Sequence, residues 1–131
     1  MLLAGEGARA LGQAGATAEI VGTWRGTSRC VDRVAAPACN DEQVIYEISA
    51  TPGRESAVTV NADKVVDGKR VPMGALDFAR DPKDGSWTSE FETPRVHAIW
   101  RLVVKDTAMQ GTLTLLPAGT VVRRIDLKKD S

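Results

Sequence analysis

The sequence predicts an all-β fold, an eight-stranded antiparallel up-and-down barrel, and three observations carry that prediction. Apolar and polar residues alternate with period two in run after run from residue 20 to the end. Every link between runs is short, which makes consecutive strands antiparallel neighbours. No helical period interrupts the series. Strands that each have one apolar face remove their open edges by closing on themselves. A two-sheet sandwich is the alternative, but sandwiches often need longer crossover connections than these.

The first strand covers residues 20–29, with Trp24, Gly26 and Ser28 on one face and Arg25, Thr27 and Arg29 on the other. A loop carrying Asp32, Pro37, Asn40 and Asp41 follows. Val44, Tyr46 and Ile48 then alternate with Ile45, Glu47 and Ser49, and Thr51-Pro52-Gly53 supplies a turn. The third strand is expected over residues 57–66 and the fourth over residues 69–80. Asp67-Gly68 between them is a hairpin signal, because a type I′ turn needs positive φ at both positions. Pro72 and Gly74 predict a bulge or an unpaired position in the fourth strand, since proline cannot donate to a ladder. Leu76 and Phe78 carry that strand's inward face. Trp87, Ser89 and Phe91 open the fifth strand's inner row, and Thr93-Pro94 ends it. Val96 through Val104, Met109 through Leu115 and Val121 through Leu127 supply the last three inner rows, turning at residues 105–108 and at Pro117-Ala118-Gly119.

The chain has 131 residues, one domain's worth. Its 17 Lys+Arg balance 17 Asp+Glu. That balance offers no basic face for nucleic acid or for an anionic membrane. No run is long and apolar enough for a spanning helix, so no integral membrane segment is expected. Residues 1–18 are expected to lie outside the barrel domain, which is assigned to residues 19–131. They read as a flexible tail: a leader remnant, a linker after a membrane anchor, or residues carried over from cloning. Their glycines (Gly5, Gly7, Gly12, Gly15) argue against a stable helix beyond a loose turn at residues 8–13. Ala16-Thr17-Ala18 resembles a signal-peptidase site.

Cys30 and Cys39 flank the first long loop in a C-x8-C spacing that does not suit a zinc knuckle. A disulfide closing that loop is expected, which points to a periplasmic or secreted location. The alternative is two free, buried cytosolic thiols.

With the strands laid out, Gly22-Thr23-Trp24 resembles the first-strand signature of lipocalins and related calycin barrels, fatty-acid-binding proteins included. The likeness spans about residues 20–128. It implies that a basic residue on the last strand packs across Trp24 at the closed end. Arg123, with the inward parity of Ile125 and Leu127, is the expected partner; Arg124 is the alternative. Gly22, Trp24 and Arg123 are thus the expected barrel-closing residues. The Thr-Asp-Tyr type of motif found midway along lipocalins has no counterpart here. Avidin-type barrels open on a similar strand, but their set of biotin-contacting residues is missing.

No catalytic constellation emerges. His97 is the sole histidine, with outward parity beside Arg95 and Arg101, and no G-x-S-x-G element exists. Glu47, Glu90 and Glu92 read as solvated positions. One histidine and two paired cysteines leave no metal site, and no cofactor is expected. The aromatics, by contrast, all fall on inner faces. Trp24 is expected to plug the closed end. Tyr46, Phe78, Trp87, Phe91 and Trp100 are expected to bind a ligand, Tyr46 and Trp87 through their polar groups. The alternative is that they simply fill a small interior. The expected function is therefore non-catalytic binding of a small hydrophobic ligand inside the barrel. The alternative is a filled barrel serving as a protein-binding or envelope-associated module through outward Ile45, Ile99, Val103, Leu116 and Val122. Oligomeric state is left open.

Overall fold

In the computed structural model, which describes residues 12–130, eight strands close into a single antiparallel barrel in the order β1 to β8. They are β1 (Gly22–Cys30), β2 (Glu42–Ala50), β3 (Ala57–Val66), β4 (Lys69–Arg80), β5 (Trp87–Glu92), β6 (His97–Lys105), β7 (Ala108–Leu115) and β8 (Thr120–Lys129). Each pairs with its sequence neighbours, and β1 pairs with β8 to complete the ring. Up-and-down order places the β1–β2, β3–β4, β5–β6 and β7–β8 links at one end, here the upper end. The other links and the chain's exit after β8 lie at the lower end.

Turn chemistry places these strands. Asp67 and Gly68 take φ of 52° and 77°, as a type I′ hairpin requires. In β4 the register slips so that Ala62 opposes Gly74 while Asp63 opposes Pro72, leaving Met73 as the extra residue. A bulge is where a strand tolerates proline, which has no N–H to give the ladder. Gly26 permits a close strand approach: a Cβ there would sit 2.8 Å from Leu127 Cα on β8.

The wall is incomplete at one seam. β4 is 12 residues long, yet only two of its residues, Ala79 and Arg80, pair with β5, opposite Thr88 and Trp87. Above that zip, β4 is paired through β3 alone. The exposure of β4 residues 69–77 reflects this separation.

Of the segment expected to stay outside the fold, the described part, residues 12–18, joins it. α1 (Gly12–Ile20) is a helix whose Ala16 and Ile20, four residues apart and so on one face, are buried in the barrel's core cluster. Glycine's weak propensity is overridden by that tertiary burial. Expectations for residues 1–11 lie outside the described residues. Gly22, with φ of 139°, makes the pivot from helix into β1. Trp24 is fully buried and its Nε1 donates to Ile20 O at 2.9 Å, tying the strand to the helix end.

The lower end departs from expectation in a second way. Lys129, not Arg123, stands over the Trp24 ring, with Nζ 5.5 Å from its centroid. Its ammonium also donates to Glu19 O at 2.9 Å. The reason is register: antiparallel pairing sets Trp24 opposite Lys129 and Cys30 opposite Arg123. Arg123 has the inward parity expected of it but lies at the upper end.

Candidate functional site

A cavity of about 520 Å³ occupies the upper half of the barrel. Its walls come from every strand except β7. Alternation supplies them: Val44 and Tyr46 from β2, Val60 and Ala62 from β3, Leu76 and Phe78 from β4, Trp100 and Leu102 from β6. Phe91 and Thr93 stand on one side of the seam, and Met73 to Leu76 on the other. Met73 and Leu76 are 43% and 39% exposed, so apolar side chains line an opening between β4 and β5.

Four of the five residues expected to bind a ligand meet here: Tyr46, Phe78, Phe91 and Trp100. Trp87 does not. It is the first residue of β5, pairs with Arg80 at the lower end, and is buried in the core beneath the cavity. Its parity is inward, and its cross-strand partner Leu102 lines the cavity, but Trp87 itself is not part of the lining. The β4 bulge contributes Met73 and Gly74 to the wall. Pro72 and Gly74 signalled that bulge in the sequence, but nothing there showed that β5 would leave it.

The cavity's polar groups gather at its upper end. Arg123 reaches across β1: Nη1 donates to Ser28 Oγ at 2.8 Å and to Ser28 O at 3.2 Å. Nη2 donates to Asn40 O at 2.9 Å and to Cys39 Sγ at 3.1 Å. Glu42 Oε1 lies 3.6 Å from Nη1, and the Arg123 side chain is only 14% exposed. Lys64 approaches the other Glu42 oxygen at 4.0 Å from the rim, without lining the cavity. Among the described residues, Arg123 and Glu42 are the only charged ones in the lining. Tyr46 stands below them, buried, with no hydrogen-bond partner among the described residues. Burial pushes its phenol well above the ordinary value of 10.0; Glu42 adds to the rise and Arg123 opposes it.

Cys30 and Cys39 form a disulfide across the β1–β2 loop. Asp41 accepts from Cys30 N at 2.8 Å, and Arg33 donates to Cys39 O at 2.6 Å, so the loop is braced on both flanks. Through Cys39 and Asn40 it is fastened to Arg123, and hence to the cavity's upper wall.

The remaining chemical candidates lie elsewhere. His97 Nε2 meets Glu90 Oε2 at 2.6 Å on the outer surface, away from the cavity lining. Among the described residues no group of His, Cys, Asp and Glu is arranged to hold a metal ion. No helix among them is long and apolar enough to cross a membrane. No protein-family model matches the chain, and no curated protein matches it.

Proposed function

We propose that this chain is a lipocalin-like barrel that binds a small, largely apolar molecule in its upper cavity, as a carrier or receptor rather than a catalyst. The observation that carries the reading is the 520 Å³ cavity, walled mainly by aliphatic and aromatic side chains and opening along the β4–β5 seam. That volume lies in the range of about 300–1,000 Å³ common for small-molecule sites. A space with this lining gains free energy when an apolar body displaces its water. The disulfide supports a periplasmic or secreted setting, where such a bond persists.

The outer-face alternative draws less support. Of the five outward apolar residues that motivated it, Ile45 and Val122 are buried, Ile99 and Leu116 are half-buried, and Val103 alone is exposed. They form no continuous apolar strip.

The test is a titration with N-phenyl-1-naphthylamine, a neutral apolar fluorophore, against the full chain and against Ala62→Phe. Ala62 lies in the cavity wall, and a phenyl ring there takes up the space a ligand needs. The reading predicts saturable enhancement with one probe per chain, lost in Ala62→Phe while the circular dichroism stays β. Enhancement that persists unchanged in the variant contradicts it.

A further inference from the structure

We propose that the cavity selects apolar ligands with an uncharged oxygen head, such as an alcohol, ketone or ester, over those with a carboxylate. The proposal rests on the cavity-binding reading above and adds the chemistry of the ligand's polar end.

Three observations point the same way. First, the guanidinium of Arg123 is already engaged. Four hydrogen bonds run from its two terminal nitrogens to Ser28, Cys39 and Asn40. Those acceptors belong to β1 and the disulfide-braced loop, so the group is fixed as part of the wall. Second, its charge is opposed by Glu42 at 3.6 Å. An incoming carboxylate would meet a like charge beside the one cation that the described residues give the lining, after losing its own hydration. Lys64 does not relieve this, because it stands on the rim and faces Glu42. Third, Tyr46 is a buried residue of the cavity lining, and its hydroxyl pairs with none of the described residues. A phenol that stays protonated is a neutral donor, and a neutral oxygen is a sufficient acceptor for it.

A head group at this corner therefore finds one donor in Tyr46 and one acceptor in Glu42. An alcohol satisfies both, and a ketone or ester satisfies the first. A carboxylate satisfies the first and is repelled by the second. The apolar tail lies below, against Phe78 and Leu102.

The experiment is displacement of N-phenyl-1-naphthylamine from the full chain by dodecanol, methyl dodecanoate and dodecanoate at neutral pH, each below its aggregation limit. Dodecanol and the ester are expected to displace the probe at concentrations at least about tenfold below dodecanoate, the ratio that one unfavourable charged contact produces. Tyr46→Phe is expected to weaken dodecanol about fivefold, as loss of one neutral hydrogen bond does. Glu42→Gln is expected to improve dodecanoate and so to narrow the gap. Dodecanoate binding as tightly as dodecanol overturns the proposal, as does a gap that Glu42→Gln leaves unchanged. If the probe binds but none of the three amphiphiles displaces it, the head-group proposal fails and the cavity reading stands. If the probe itself does not bind, both fail.

Discussion

Lys129 Nζ stands 5.5 Å above the centre of the Trp24 ring, and its ammonium caps the final turn of α1 at Glu19 O. Helix, first strand and last strand meet at this point. Trp24 shares with Trp87 the place of largest fully buried side chain among the described residues, and truncating it empties that volume. Trp24→Ala is expected to cost about 3–5 kcal/mol, the usual range for a large buried aromatic. Lys129→Ala removes one cation–π contact and one hydrogen bond, and is expected to cost about 1–2 kcal/mol. Arg124→Ala, on the outer face, is expected to stay within about 0.5 kcal/mol of the parent. Urea denaturation of the three variants checks this order.

The Cys30–Cys39 bond closes a loop with a sequence separation of nine. Its loss is expected to destabilise the fold by about 2–3 kcal/mol through the entropy of the unfolded chain. Cys30→Ala with Cys39→Ala should reproduce the effect of a reducing agent on the parent. The double variant should then be insensitive to that agent. Thermal unfolding with and without dithiothreitol measures both.

Gly26 sits where β1 and β8 approach so closely that a methyl group would meet the Asp126–Leu127 backbone. Gly26→Ala therefore forces the two strands apart at the closure of the barrel. The expected cost is about 2–4 kcal/mol, beyond the usual overpacking range because backbone must move. Gly53→Ala, at a turn with open space around it, should be strained only by its φ of 73°. It is expected to cost about 1 kcal/mol. Equilibrium unfolding distinguishes the two.

Tyr46 is the only tyrosine in the chain, so phenolate absorbance reports it alone. Its pKa is raised in the folded state, chiefly by burial. The folded protein thus holds this proton more tightly than the unfolded chain. The associated stability is intact below the ordinary value of 10.0 and falls as pH rises above it. The native protein is expected to show no phenolate signal at about pH 11, where a free tyrosine is largely ionised. Denaturant should restore an ordinary titration. A native midpoint near the ordinary value would place the hydroxyl in water.

Asp84 behaves in the opposite sense. Arg101, and then the Ser86 backbone and hydroxyl, hold its carboxyl well below the ordinary carboxylate value. These contacts are present at neutral pH and are lost only in strong acid.

Period two told which face each strand residue takes, and that much of the barrel was legible. β3 and β4 begin and end where the alternation and the Asp67-Gly68 turn put them. Four pocket aromatics followed from the same rule. Height along the barrel was the weaker coordinate. Arg123 and Trp87 both point inward as expected, yet each lies at the end opposite its assigned role. Register decides height, and register follows from which end each strand starts at. β5 begins at the lower end, so its first residue belongs there. α1 was missed because its glycines outweighed the one signal of burial, the four-residue spacing of Ala16 and Ile20. The β4–β5 seam was illegible for another reason: alternation shows that a strand has two faces but not whether a neighbour stays paired along it.

The central claim is that an apolar molecule enters the barrel and rests in the upper cavity. A crystal of the protein soaked with dodecanol bearing a terminal bromine tests it most directly, because anomalous scattering locates the tail. The account predicts one bromine peak inside the barrel, beside Phe78 and Leu102, with the hydroxyl directed toward Tyr46. A cavity filled by its own side chains, with bromine only on the outer surface or nowhere, would contradict it.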